Sequence, residues 1–158
     1  MTIKAIIFDW GRTLFDSETK KEFPEAEKVL ASCKERGYRL ALVSLTSIHS
    51  NATLEERKRQ IENSPLRKYF EAVAVTDTDK DKSFDEIVQK LNLPREEILI
   101  VDDRTVRGIR YGNLRNHPTV WLQKGKFANE LPNKKTRNPT YTIHSLPELP
   151  EILSKMSE

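Results

Sequence analysis

Short apolar runs alternate with amphipathic stretches along the chain. IKAIIFD (residues 3–9) is almost continuously apolar until Asp9, the pattern of a strand buried on both faces. RLALVSL (39–45), FEAVAVT (70–76), EILIVDD (97–103) and PTVWLQ (118–123) repeat the strand pattern, and YTIHS (141–145) reads as a short edge strand. Helical patterns lie between them. In FPEAEKVLASCKERG (23–37), Pro24 stands at the start, Ala26, Val29, Leu30 and Cys33 form a stripe, and Gly37 closes the end. ATLEERKRQIENS (52–64) is a polar helix, and SFDEIVQKLNL (83–93) sets Phe84, Ile87, Val88 and Leu91 on one face. TVRGIRYGNLRN (105–116) predicts another helix, and LPELPEILSKM (146–156) a last one, interrupted early by Pro150. The polar stretch 124–140 has the composition of a mobile loop.

Strand and helix alternating at this spacing predict an α/β fold, a parallel sheet with helices on both faces. Ligands of such sheets bind beyond the carboxyl ends of the strands, near a switch in strand order. The residues there are Asp9, Ser44, Thr76 to Lys80, and Asp102-Asp103. Carboxylates gathered past two strand ends repel one another unless a cation joins them. Oxygen ligands suit a hard ion such as Mg²⁺, which keeps several waters and takes a phosphate oxygen. The Ser44 hydroxyl and a nearby lysine suit that phosphate, and Asp9 suits a nucleophile that forms an aspartyl-phosphate. Taken singly, each of these residues reads equally well as a turn or cap.

Composition narrows the setting. A length of 158 residues suits one domain over 1–158, and 37% hydrophobic with 32% charged residues suits a globular, soluble chain. A net charge of +3 is too small to argue for nucleic acid. The basic groups Arg57-Lys58-Arg59, Arg67-Lys68 and Lys134-Lys135-Arg137 read as solvated surface. The single cysteine, Cys33, excludes an internal disulfide and reads as a buried, inert thiol in a reducing compartment. No signal peptide or apolar run of membrane-spanning length is seen, so the expected setting is cytoplasmic, without a membrane partner.

The motifs together resemble the haloacid dehalogenase (HAD) superfamily, from residue 3 to about 155. IFDWGRTL is similar to its first motif, hhhhDxDxT, with Asp9 in the nucleophile position. LALVSLT resembles the second and points to Ser44, with Thr46 beside it; LRKYFEAVAVTD (66–77) leads to the third, and ILIVDDRTVRGIRYG resembles the fourth. The resemblance implies a three-layer, Rossmann-like fold and hydrolysis of a phosphorylated substrate, a small molecule or a protruding group of a larger one. It implies Mg²⁺ held by Asp9, the Gly11 carbonyl, Asp102 and Asp103, with Ser44 and a lysine on the phosphoryl oxygens. Counting back four residues from Phe84 selects Lys80, with Lys82 as the competitor. The gaps from Asp9 to Ser44 and from Ser44 to Lys80 leave no room for a cap domain, so a capless member is expected. The segment 12–22 is then the local cover, and a second copy of the chain is a plausible lid.

Two departures bear on activity. The superfamily's phosphatases carry a second Asp two residues after the nucleophile, where this chain has Gly11. A positioned acid/base is worth about 10²- to 10⁴-fold in rate. Slow action on good leaving groups, a substitute acid (Asp16, Glu18 or His49), dehalogenase- or phosphonatase-like chemistry, and a HAD-fold binding or regulatory protein of little activity all remain open. No further acid follows Asp103 at Val106, Arg107 or Gly108, where relatives often have one. Trp10 suits stacking on a substrate ring or packing under the cover, and Arg12 and Arg104 suit a substrate anion or a surface ion pair. His117 and His144 read as surface or edge residues.

Overall fold

The computed structural model describes residues 2–47, 50 and 52–157. β1 (Ala5–Phe8) leads into a small antiparallel hairpin, β2 (Phe15–Asp16) and β3 (Lys21–Glu22), and then α1 (Ala26–Glu35). β4 (Arg39–Leu45), α2 (Leu54–Glu62), β5 (Ala72–Thr76) and α3 (Lys80–Leu91) follow. β6 (Ile98–Asp102), α4 (Arg110–Leu114), β7 (Thr119–Leu122), β8 (Tyr141–Ile143) and α5 (Leu149–Met156) complete the order. Six strands pair in parallel in the order β5-β4-β1-β6-β7-β8.

The apolar run of β1 is explained by its two buried faces. Ile6 and Phe8 join a core with Val29 and Leu30 of α1 and Leu149 and Leu153 of α5. Ala5 and Ile7 join a second core with Phe84 and Ile87 of α3 and Tyr111 of α4. The result is the three-layer, Rossmann-like arrangement that the sequence predicts. From β1 the sheet runs to β4 and β5 on one side and to β6, β7 and β8 on the other. The order therefore switches at the carboxyl end of β1, just where Asp9 begins. Between β1 and β4 lie the hairpin and α1; between β4 and β5 the described residues hold α2 and a 3₁₀ turn, Arg67–Tyr69. No helix among the described residues is long and apolar enough to cross a membrane.

Differences from the sequence reading have local causes. α3 starts at Lys80, three residues before the expected start at Ser83, because the Asp79 side chain caps it by accepting from the Lys82 N–H at 3.2 Å. Residues Thr105–Ile109 wind as a π-helix before α4. Pro150 does not interrupt the last helix. It sits in the first turn of α5, where a missing N–H loses no partner. His117 is buried rather than at the surface, with Nδ1 at 3.1 Å from the Ile98 carbonyl and its ring stacked on Tyr111. The 124–140 stretch is tied down: Asn113 donates to the carbonyls of Thr136 and Asn138, at 2.9 and 3.0 Å.

α2 is held at its start by a capping box. Thr53 Oγ1 accepts from the Glu56 N–H, and the Glu56 carboxylate accepts from the Thr53 N–H, both at 3.2 Å. Thr53→Ala is expected to lower stability by about 1 kcal/mol, measured by urea denaturation. Cys33 is buried, and that burial pushes its thiol up to about 11. A disulfide reagent at pH 8 should leave the native thiol unlabelled and label it after unfolding.

Candidate active site

Asp9 extends β1 by one ladder bond, its N–H donating to the Val101 carbonyl at 3.0 Å. Its side chain is clamped from two directions. Oδ1 accepts from Lys80 Nζ at 2.9 Å, and Oδ2 accepts from Thr13 Oγ1 at 3.0 Å. Lys80, in the first turn of α3, also donates to Asp102 Oδ2 at 2.9 Å. One buried ammonium thus ties the ends of β1 and β6 to the start of α3.

Asp102 is fully engaged. Besides Lys80, Oδ2 accepts from the Gly108 N–H at 2.8 Å, and Oδ1 from the Arg104 N–H at 3.1 Å. It aims the lysine and pins the π-turn after β6. A Cβ at Gly108 would stand 2.4 Å from Asp102 Oδ2, so this close approach demands glycine. Asp103 differs: it is buried, and its Oδ2 has no hydrogen-bond partner.

The titrations follow from these contacts. Burial works to raise Asp9, but the Lys80 charge and hydrogen bonds from Asp103, Lys80 and Thr13 outweigh it and hold the carboxyl below its usual range. Burial, then the charges of Asp9 and Asp102, pushes Asp103 well above the usual range. Burial and the Asp9 charge also raise Asp102, against the pull of Lys80.

One oxygen from each of Asp9, Asp102 and Asp103 lies within 4.8 Å of the others. Buried, all-oxygen donors with an orphaned Asp103 oxygen fit a hard divalent cation such as Mg²⁺. Asp9 and Asp102 both accept hydrogen bonds at each oxygen, while Asp103 Oδ2 accepts none.

Ser44, at 0% exposure in β4, accepts from Arg57 Nη1 at 2.7 Å. Arg57 reaches in from α2, and its guanidinium packs against Gly11, where an added Cβ would lie 3.5 Å from Nη2. Position 11 therefore has room for a side chain, but that side chain would grow against a cation. A recess over Asp9, Gly11 and Asp103 is walled by Arg12, Arg104, Arg107 and Phe127. Arg12 adopts φ 65°, a left-handed conformation costing a non-glycine residue about 1–2 kcal/mol. Arg104 lies over the Phe127 ring at 3.8 Å and pairs with Glu130 at 2.9 Å. Arg107 Nη2 donates to Ser47 Oγ at 3.3 Å.

The structure brings Asp9, Gly11, Ser44, Lys80, Asp102 and Asp103 together. It separates other candidates from them. Trp10 is fully enclosed and stacked on Phe15 of the hairpin, at 5.3 Å between ring centroids, so its ring offers no face to a substrate. Thr46 is buried off the recess, its N–H donating to the Thr76 carbonyl at 2.9 Å. Lys82 is exposed, one turn-step past Lys80 on another side of α3, which takes it out of the site. Asp16 accepts from the Glu18 N–H at 2.9 Å and lines a different recess, and Glu18 is exposed. His49 lies outside the described residues.

The composition of Arg57-Lys58-Arg59 predicts solvated surface; Lys58 and Arg59 are exposed, but Arg57 is buried. The available signal was its position four residues before Ile61, on the same face as the one buried apolar residue of α2. Arg107, Phe127 and Glu130 carried no such signal.

A sequence model of haloacid dehalogenase-like hydrolases matches residues 2–121. The chain belongs to that family. Among its relatives is the glyceraldehyde 3-phosphate phosphatase of Pyrococcus furiosus, 29% identical over 140 residues, covering 85% of this chain and 55% of that protein. The chain thus spans about half the length of that curated relative. An L-2-haloacid dehalogenase from Xanthobacter autotrophicus, with chloropropionic acid covalently bound, superposes with TM-score 0.79 at 12% identity, covering 98% of this chain and 100% of that one. A HAD phosphatase from Thermococcus onnurineus gives TM-score 0.75 at 16% identity, covering 96% and 98%. Both show the shared HAD fold.

In this HAD site, Gly108→Ala should force Asp102 and Lys80 apart. The expected cost is about 1–3 kcal/mol of stability, measured by urea denaturation.

Proposed function

We propose that this HAD-like hydrolase is a Mg²⁺-dependent phosphatase, acting without a cap domain of its own, in which Asp9 is the nucleophile. The observation that carries the reading is the clamp on Asp9. Its carboxylate is held ionised and oriented by Lys80 and Thr13 at the strand-order switch, beside an unpartnered Asp103 oxygen. The 29% identity to a phosphatase supports the same chemistry.

An Asp9 oxygen attacks phosphorus, forming the aspartyl-phosphate as the bond to the leaving oxygen breaks. Water then attacks phosphorus as the bond to Asp9 breaks, its protons leaving with the inorganic phosphate, and the Asp9 carboxylate is restored. Ser44 and Lys80 orient the phosphoryl oxygens, and the Lys80 ammonium offsets negative charge as it moves from Asp9 onto the phosphoryl and leaving oxygens. Asp9, Asp103 and the Gly11 carbonyl would hold Mg²⁺, with Asp102 holding the lysine beside them. When bound, Mg²⁺ supplies the Lewis-acid charge that offsets charge developing on the phosphoryl group.

Gly11 brings no proton to the leaving group, so the leaving group departs as an anion. Aryl and acyl phosphates are therefore the favoured esters. Hydrolysis of p-nitrophenyl phosphate should need Mg²⁺, stop in excess chelator, and fall roughly 10³-fold or more in Asp9→Asn. Ethyl phosphate should turn over roughly 10²-fold or more slowly than the aryl ester. Equal rates for wild type and Asp9→Asn would refute the reading. Halide release from 2-chloropropionate, with none from the phosphate ester, would replace it by dehalogenase chemistry.

A further inference from the structure

Guanidinium groups crowd the recess. Four arginines, at 12, 57, 104 and 107, line it beside Asp9 and Asp103. Lys80 stands behind them, bridging Asp9 and Asp102, and Arg104 pairs with Glu130.

The arrangement of these cations is costly without an anion. Arg57 is 2% exposed and Arg107 half-buried, and neither pairs with a carboxylate among the described residues. Burial and the Arg104 charge push the Arg107 guanidinium down. Arg104 keeps a buried Nη1 with no partner after pairing with Glu130. Arg12 occupies a backbone conformation that favours glycine, and its guanidinium shares the Phe127 ring with Arg104, at 5.5 and 3.8 Å from the centroid. Two guanidinium groups held from water without a carboxylate, beside two more over the Phe127 ring, suit a planar or tetrahedral oxyanion.

We propose that the substrate carries a second anionic group, a carboxylate or a second phosphate, beside the phosphoryl group, and that Arg12, Arg57 and Arg107 receive it. This rests on the phosphatase reading above. Arg57, bonded to Ser44, stands between the two anions; Arg12 and Arg107 hold the outer one.

Binding tests this without requiring turnover. Calorimetry in excess Mg²⁺ compares phosphonates in matched pairs: phosphonoacetate with phosphonoacetamide, and ethane-1,2-diphosphonate with ethylphosphonate. The doubly anionic member should bind roughly 10- to 100-fold tighter, and the larger of the two ratios names the second group. In Arg107→Gln and Arg12→Gln the ratio should fall toward one, and Arg107→Lys should keep part of it. A residue that only shapes the recess weakens both members of a pair and leaves the ratio intact. Thermal melts establish that each variant folds. Ratios within about threefold for both pairs in the wild type overturn the proposal, as does a ratio that survives in both glutamine variants. Turnover of p-nitrophenyl phosphate, measured separately, tests the phosphatase reading alone.

Discussion

A single buried ammonium organises the site. Lys80 Nζ lies 2.9 Å from both Asp9 and Asp102, and all three side chains are almost wholly removed from water. Burying such ions is expensive, and the attraction between them repays the cost only with good geometry and further hydrogen bonds. Those bonds are present: Thr13 serves Asp9, while Gly108 and Arg104 serve Asp102 through their backbone N–H groups. Removing one partner from such a cluster typically costs about 3–5 kcal/mol, because a charge is left buried and alone. The bridge therefore fixes the relation of β1, β6 and α3, and with it the direction in which Asp9 points.

Much of the surrounding detail follows from that constraint. Gly108 is small because Asp102 must approach its backbone. α3 begins at Lys80, capped by Asp79, because the lysine has to leave the first helical turn toward the sheet. Asp103 keeps one carboxylate oxygen, Oδ2, without a partner, which makes it complementary to a cation. The space left open by Gly11 is not empty chemistry: the Arg57 guanidinium lies against it and on Ser44. Where the site has no acid, a buried guanidinium stands beside the backbone.

The segment between β7 and β8 shows how polar sequence can be structural. Its Phe127 and Glu130 pack and pair with Arg104, and Thr105 Oγ1 donates to the Glu130 carbonyl at 2.8 Å. The recess thus has a wall made from residues far along the chain from Asp9. Nothing in their local composition marks them, because their partners are set by the fold and not by their neighbours.

The sequence alone determined the sheet, its layers and the placing of Asp9 at a strand end. Apolar runs such as AIIF and ILIV can be buried on two faces only inside a parallel sheet, and that periodicity is a local property of the chain. Asp9, Ser44 and Asp102-Asp103 were legible for the same reason: each directly follows or ends such a run. The choice of Lys80 over Lys82 came from a spacing, but its reason is tertiary, since only one of them points to Asp9 from the first turn of α3. The enclosure of Trp10, the commitment of Asp102 to the lysine and the convergence of Arg12, Arg57, Arg104 and Arg107 were decided by tertiary structure alone. An arginine on a polar helix looks alike whether it meets water or a buried hydroxyl. Only the packing of α2 against the end of the sheet determines which, and burial is a property of the whole fold.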